Sequence, residues 1–120
     1  MKIEMVQMDL KNENDLEFRD GKSTGVKYMF RGPKLDWGIL VLGKGEILDK
    51  HYHNEVEETF YFIKGSCKME IDDKKFITKP GDSFRVEANE KHSMINEYEE
   101  PVKMIFIKYP YIKDDKINVE

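Results

Sequence analysis

Residues 51–65 read HYHNEVEETFYFIKG, and this stretch decides how the whole chain is interpreted. Two histidines stand two positions apart, an acidic cluster follows them, and an aromatic run comes next. His92 is the only other histidine in the 120 residues. Side chains two apart on a β-strand point to the same face, so His51 and His53 would aim one way. Two imidazoles that converge on one point make half of a metal site.

A third ligand should come from a neighbouring strand, and the acidic cluster offers three candidates, Glu55, Glu57 and Glu58. The run from Glu58 to Ile63 has the composition of one strand. Glu57 would then fall in the connecting turn, which favours Glu58. His92 opens another strand-like run, and it would complete the group if it also faces inward.

Short runs rich in β-branched and aromatic residues alternate with turn signals along the rest of the chain. Met69 and Ile71 alternate with charged residues, and Phe84 and Val86 do the same. No segment offers an apolar face at helical spacing over ten or more residues. Many short strands without helices predict an all-β sandwich or barrel.

Length and charge limit the function classes. The chain is 39% hydrophobic and 37% charged, with a net charge of −4, which suits one globular domain. Basic and acidic residues are interleaved, so no nucleic-acid face is expected. There is no signal-peptide core, and no apolar run approaches the roughly 20 residues of a membrane span. Cys67 is the lone cysteine, which suits a reducing compartment. These features predict a cytoplasmic protein.

The chain is expected to form a single domain with three parts. These are an N-terminal strand extension over residues 1–20, a barrel core over 25–109, and a polar tail over 113–120 that frays. The strand predicted at Lys2–Leu10 precedes the core by a polar turn region. It could pair with a second subunit and cover an open sheet edge, so a homodimer is expected.

Glycines flank the opening stretch at a regular spacing. Five residues separate Gly45 from His51, four separate His53 from Glu58, and six separate Glu58 from Gly65. This pattern resembles the first motif of the cupin superfamily, in particular its small single-domain members. The resemblance selects Glu58 among the acidic candidates. It implies the cupin fold, a jelly-roll barrel also called the double-stranded β-helix.

A second run of residues strengthens the resemblance. Five residues separate Gly81 from Glu87, and Asn89, His92 and Asn96 follow at the spacing of the second cupin motif. Glu87 stands where proline is usual and Asn89 where glycine is usual. Asn tolerates left-handed backbone geometry better than most residues, and neither position is a ligand position. The motif positions expected to serve the structure are Gly45, Gly65, Gly81 and Asn96.

The resemblance implies a divalent metal centre held by three imidazoles and one carboxylate. Its ligands would be His51, His53, Glu58 and His92. This mixed nitrogen and oxygen set suits Mn, Fe, Co, Ni, Cu or Zn and does not choose among them. Four protein ligands leave two positions of a six-coordinate ion for water, oxygen or a bidentate small molecule.

Strand alternation predicts an apolar, aromatic wall around the metal. Phe60 and Phe62 would share the inner face with Glu58, and Met94 would share it with His92. The expected pocket residues are Trp37, Phe60, Phe62, Met69, Met94 and Phe106. Core filling is the competing interpretation of such side chains. No acid–base partner beside the metal is evident, so the metal would carry most of the chemistry.

The ligand set and the apolar wall favour a metal-dependent enzyme of the dioxygenase or isomerase type. Its substrate would be a small organic molecule, either a carboxylate or an enolisable compound. The alternative is a module that binds or senses a small ligand on the same metal without turnover. Cupins serve this way when joined to DNA-binding domains. No helix-turn-helix fits in this chain, which weakens the alternative.

Overall fold

The computed structural model describes residues 9–119. The predicted strand at Lys2–Leu10 lies outside them except for its last two residues, which are not in a strand. The described part of the chain holds ten strands and two short 3-10 turns, Glu13–Asp15 and Arg19–Gly21. The strands are β1 (Gly25–Arg31), β2 (Asp36–Leu42), β3 (Ile47–His53), β4 (Glu57–Lys64), β5 (Lys68–Ile71), β6 (Lys74–Ile77), β7 (Ser83–Val86), β8 (His92–Ile95), β9 (Val102–Tyr109) and β10 (Lys116–Asn118).

The strands form two five-stranded antiparallel sheets. One has the order β1-β2-β9-β4-β7 and the other β10-β3-β8-β5-β6. The prediction of an all-β jelly roll is confirmed. Among the helices of the described residues, none has the length and apolar character that a membrane span requires.

Strand β4 shows why the sequence folds this way. Glu58, Phe60 and Phe62 are buried, whereas Tyr61 and Ile63, which alternate with them, are exposed. Period-two alternation thus separates an inward face from an outward face. The register then aligns the inward side chains of neighbouring strands into rows that cross the sheet.

The rows at one end of the sheet are apolar. Leu40 on β2 lies opposite Met104 on β9, and Met104 lies opposite Phe62 on β4. Burying each such side chain contributes about 1.5–3 kcal/mol. We call this region the apolar end; its core consists of Leu40, Leu42, Phe62, Cys67, Met69, Met94, Val102 and Met104.

The row four residues away on the same three strands is charged. Asp36 on β2 lies opposite Lys108 on β9, and Lys108 lies opposite Glu58 on β4. The other sheet presents the three histidines at this end, on β3 and β8. We call this region the charged end; it is the region around Asp36, His51, His53, Glu58, His92 and Lys108.

The turns of the two motifs explain their residue types. Gly65 has φ of 75°, and a Cβ there would overlap the carbonyl oxygen of Pro101. Asn89 adopts φ of 72°, the left-handed geometry that glycine usually supplies. The Glu87 amide donates to Glu90 Oε1 at 2.7 Å, a hydrogen bond that proline cannot make. Both departures from the usual motif therefore fit this backbone.

Most of the polar tail, which the sequence predicts to fray, is held in place within the described residues. Lys116–Asn118 forms β10 and pairs with β3. The carboxylate of Asp115 accepts hydrogen bonds from the backbone amides of Glu55 and Val56, at 2.9 and 3.0 Å. Main-chain pairing and a side-chain cap hold this segment in place. Neither contact requires the alternating apolar residues from which a strand is predicted.

Candidate metal centre

Four buried side chains converge at the charged end. His51 and His53 come from β3, Glu58 from β4 and His92 from β8. One ligand atom of each lies within 4.8 Å of those of the other three. The fold thus brings together the four residues that motif spacing selects. They form a group able to bind a metal ion.

The other two glutamates of the acidic cluster point elsewhere. Glu55 is exposed in the loop that joins β3 to β4. Glu57 opens β4 rather than lying in a turn, and its Oε2 lies 3.6 Å from Nε of Arg85. Since Glu57 and Glu58 are consecutive in a strand, their side chains point to opposite faces. Glu58 alone of the three enters the interior.

Backbone carbonyls orient two of the imidazoles. Nδ1 of His51 donates to the Asp49 carbonyl oxygen at 2.8 Å, and Nδ1 of His92 donates to that of Glu90 at 3.3 Å. A carbonyl can only accept, so the proton sits on Nδ1 in both rings. The lone pair of each Nε2 is then free to bind a cation, as in metal sites generally.

His92 provides the test of whether a metal fits. Its Nε2 is fully buried, lies 3.4 Å from Glu58 Oε1, and makes no hydrogen bond within residues 9–119. A buried polar atom left without a partner costs about 1–3 kcal/mol. A metal ion held by the four residues would satisfy this nitrogen, so the donor set fits the ion that the motif implies.

The electrostatics keep His51 neutral. Burial, and to a smaller extent the neighbouring His92, lower its pKa to about 3. The hydrogen bond to the Asp49 carbonyl raises it, and Lys116 opposes a charge on the ring. A neutral imidazole is the form that binds metals.

The same surroundings keep Glu58 ionised. Burial by itself raises the pKa of this carboxyl, but the adjacent imidazoles of His53 and His92 outweigh it and bring the pKa well below its usual range. His53 Nε2 lies 3.2 Å from Glu58 Oε1, and the charge of Lys108 adds to the effect. A neutral imidazole at His51 and an ionised carboxylate at Glu58 are the protonation states that bind a cation.

A cavity of about 240 Å³ opens beside the four residues. Tyr28, Leu40, Phe60 and Phe106 line it, and Tyr28 packs edge-on against Phe106 with ring centroids 5.4 Å apart. Further apolar surface comes from Val26, Leu48, Val56, Pro110 and Ile112. Besides the four-residue group, charged residues also line the cavity. They are Arg19, Arg31, Asp36, Lys108, Asp114, Asp115 and Lys116.

The predicted pocket residues divide into two groups. Phe60 and Phe106 line the cavity. Phe62, Met69 and Met94 lie in the core cluster of the apolar end, and not in the cavity wall. Trp37 also lies outside this wall; it alternates with the inward Asp36 and Gly38 and packs near Phe30, with ring centroids 6.5 Å apart.

Among the motif residues expected to be structural, Asn96 has the clearest contacts. Its Nδ2 donates to the carbonyl oxygens of Leu42 and Glu100, both at 2.9 Å, and its Oδ1 accepts from the amide of Tyr98 at 2.8 Å. These bonds tie the end of β8 to two other segments.

Sequence reasoning missed the cationic and phenolic groups of the cavity. Lys108 follows Val102, Met104 and Phe106 at period two, so its inward position was readable from the strand pattern. Tyr28 carries a weaker signal of the same kind in β1. Lys116 carries none, because only the pairing of the tail with β3 brings it to the site.

Comparison with known sequences gives a family match and two informative relatives. The model of the Cupin domain family matches residues 38–108. The uncharacterised protein MJ1618 of Methanocaldococcus jannaschii is 31% identical over 84 residues, covering 68% of this chain and 66% of its own length. Quercetin 2,3-dioxygenase of Bacillus subtilis is 40% identical over 50 residues, covering 42% of this chain and 15% of its own length. The chain thus spans less than two thirds of the length of either relative.

Comparison with solved structures concerns the fold. An uncharacterised protein with a double-stranded β-helix domain from Klebsiella pneumoniae superposes with a TM-score of 0.80. The superposition covers 95% of this chain and 99% of that one, at 13% sequence identity. At that identity the likeness concerns architecture alone, and the double-stranded β-helix predicted from the sequence is confirmed.

Proposed function

The chain belongs to the cupin family, and we propose that it is a metal-dependent enzyme of the dioxygenase or isomerase type acting on a small carboxylate or enolisable substrate. The buried group of three imidazoles and one carboxylate beside a cavity carries this proposal. A divalent ion bound there supplies Lewis-acid chemistry, and oxygen chemistry if it is redox-active. The residues that would hold it are His51, His53, Glu58 and His92.

The cavity sets the size of the substrate. At about 240 Å³ it falls below the roughly 300–1,000 Å³ typical of sites for drug-sized ligands. Tyr28, Phe60 and Phe106 give it aromatic walls that exclude water from one side. Electrostatic attraction to an anion or an enolate is stronger in such a site than in bulk water.

Different observations support the two reaction types. The local identity with a protein named quercetin 2,3-dioxygenase supports an oxygen-dependent reaction. An isomerase needs a group that takes or gives a proton near the substrate. Lys108 and Tyr28 are candidates for that role, since both line the cavity and Lys108 Nζ lies 3.4 Å from Tyr28 Oη.

The first experiment is elemental analysis of the purified protein and of His51→Ala. We expect about one divalent ion per chain in the wild type and less than about a tenth of that in the variant, because the variant lacks one of four ligands. Tyr52→Ala is the matched control, since Tyr52 lies between the two ligands on β3 and is only half-buried. Equal metal content in all three proteins would refute the site.

The second experiment separates the reaction types and the binding alternative. Oxygen uptake by the iron- or manganese-loaded protein is followed over a panel of small carboxylates and enediols. Uptake indicates a dioxygenase, and a rearranged product without uptake indicates an isomerase. Tight binding of a ligand without any product, whatever the metal, would contradict the enzyme proposal and leave the binding or sensing module.

We also propose that the protein is a homodimer. Outward side chains of β4 and β9 support this, since Tyr61 is 48%, Ile63 43% and Ile107 41% exposed on one sheet face. Large apolar groups gathered on one face favour association. Light scattering at micromolar concentration tests it, and a monomeric mass would contradict it.

A further inference from the structure

Two lysines stand directly beside the proposed metal ligands, one on each sheet. Lys108 on β9 lies opposite Glu58 on β4, and Lys116 on β10 lies opposite His53 on β3. Opposite residues of an antiparallel pair have Cβ atoms about 4.5–5.5 Å apart and project from the same face. Both lysines line the cavity. The four-residue group therefore has an ammonium group on each side.

The charge of Glu58 acts on both ammonium groups, but neither is held in an ion pair within the described part of the chain. Neither Lys108 nor Lys116 forms an ion pair with a carboxylate of residues 9–119. The hydrogen bond from Lys108 Nζ goes to the hydroxyl oxygen of Tyr28. Partial burial lowers the pKa of Lys116, and the charges of Arg19 and Lys108 lower it further. Arg19 lines the same cavity as the two lysines.

Apart from Glu58 of the proposed metal group, the acidic residues of the cavity wall have other partners or are exposed. Asp36 accepts a hydrogen bond from the Gly32 amide at 3.0 Å and lies 3.6 Å from Arg31. Asp115 caps two backbone amides of the β3–β4 loop. Asp114 is exposed at the rim. None of these carboxylates forms an ion pair with the two lysines.

The aromatic walls hold one of the ammonium groups in place. Lys108 Nζ lies 5.7 Å from the ring centroid of Tyr28 and 5.5 Å from that of Phe106. Cation–π attraction of this kind keeps the lysine stem against the wall while its charge stays in the cavity. The same two rings offer apolar surface next to the charge, which suits an organic anion better than a hydrated inorganic one.

We propose that Lys108 and Lys116 form an anion-binding subsite that takes the carboxylate of a small organic acid, with Arg19 at the entrance. This proposal rests on the proposed function, because it places the organic acid beside the proposed metal group. It narrows the proposed substrate class to carboxylates. Lysine ammonium groups bind anions as point charges. The subsite should therefore weaken steeply as salt is added.

The test measures binding by titration calorimetry on the zinc-loaded protein, because zinc is not redox-active and no turnover with oxygen intervenes. Pyruvate and benzoate are the probes, and inorganic phosphate is the comparison. Lys108→Met and Lys116→Met each remove one charge and keep an apolar stem. Lys64→Met is the control, since Lys64 is exposed at the end of β4 and does not line the cavity. Thermal unfolding checks that each variant folds. Because the two lysines lie on different sheets, the two variants test the subsite independently.

We expect the affinity for pyruvate or benzoate to fall about tenfold in each cavity variant, the effect of losing one charge-assisted hydrogen bond, and to stay unchanged in Lys64→Met. Wild-type affinity in both cavity variants would overturn the proposal. Tighter binding of phosphate than of either carboxylate would overturn the assignment to organic acids.

Metal content separates this proposal from the proposed function. If zinc binds stoichiometrically and the lysine variants bind the probes as the wild type does, the subsite is wrong and the metal site stands. If no metal binds but pyruvate or benzoate still binds in a lysine-dependent way, the proposed function is wrong and the subsite stands.

Discussion

The two ends of this sandwich use the same strands in opposite ways. At the apolar end, the inward positions of β2, β4 and β9 carry Leu40, Phe62 and Met104, each at most 4% exposed. At the charged end, four residues away on each strand, the inward positions carry two carboxylates and an ammonium group. The backbone pattern does not change between the two ends; only the side chains do.

The difference shows how the fold separates stability from chemistry. Apolar side chains at close-packed density contribute most of the free energy of folding. Buried imidazoles and a buried carboxylate cost free energy unless they find partners. The apolar end therefore stabilises the fold. The fold in turn holds together, at the charged end, the polar groups whose burial costs free energy. Substitutions at the two ends should accordingly have different consequences, and four predictions test this.

The largest effect is expected from Phe62→Ala at the apolar end. Phe62 is fully buried, so the substitution should lower the free energy of unfolding by about 3–5 kcal/mol through lost burial and a new cavity. Urea unfolding measures this. Ile63→Ala is the control; its side chain is 43% exposed on the outer face, and we expect a loss below about 1 kcal/mol. Equal losses would contradict the separation of the two faces.

Glu58→Gln at the charged end should abolish metal binding and leave the fold intact. An amide has no charge with which to bind a cation, so we expect metal content below about a tenth of the wild-type value. Elemental analysis measures it. Glu57→Gln is the matched control one residue away, because Glu57 pairs with Arg85 outside the interior. A variant that loses Glu58 but keeps its metal would show that this carboxylate is not a ligand.

The charged end should also make the metal-free protein sensitive to acid. The folded-state pKa of His51 is about 3, against an ordinary value of 6.5. Between these values the unfolded chain binds a proton that the folded chain does not. The free energy of unfolding should therefore fall as pH drops from 6.5 towards 3, by at most about 1.4 kcal/mol per pH unit from this residue.

Urea unfolding of chelator-treated protein near neutral pH and at about pH 5 measures this slope. His51→Gln keeps a polar side chain of similar size and removes the titrating ring. We expect a shallower pH dependence in that variant. The same slope in both proteins would assign the acid sensitivity to other groups.

The smallest effect is expected from Asp115→Ala, which removes the cap that ties the tail to the β3–β4 loop. Loss of two hydrogen bonds to backbone amides, one of them exposed, should lower the free energy of unfolding by about 1 kcal/mol. Asp114→Ala next to it should change it by less than about 0.5 kcal/mol. Hydrogen exchange at the Val56 amide gives an independent measure, and unchanged protection there would contradict the role of Asp115.

Much of the site was predictable because its signals are local. The spacing from Gly45 to Gly65 and from Gly81 to Asn96 identifies all four residues that the fold brings together. The pocket was less predictable. Phe60 and Phe62 have the same inward orientation on β4 and both belong to the core cluster, but only Phe60 also lines the cavity. Period-two alternation predicts the face of the sheet on which a side chain lies. It does not predict whether that position along the strand is next to the cavity.

The sequence by itself determined the class of fold, the four residues of the group able to bind a metal, and the face on which the strand residues lie. These features depend on periodicity and on short spacings along the chain. The tertiary structure alone decided that Lys116 lies beside His53, that Lys108 and Tyr28 share a cavity wall, and that carbonyls orient His51 and His92. The physical reason is that strand order and register bring together residues far apart in the chain. Main-chain hydrogen bonds can be made by every residue type except that proline cannot donate one, so they leave little pattern in the sequence.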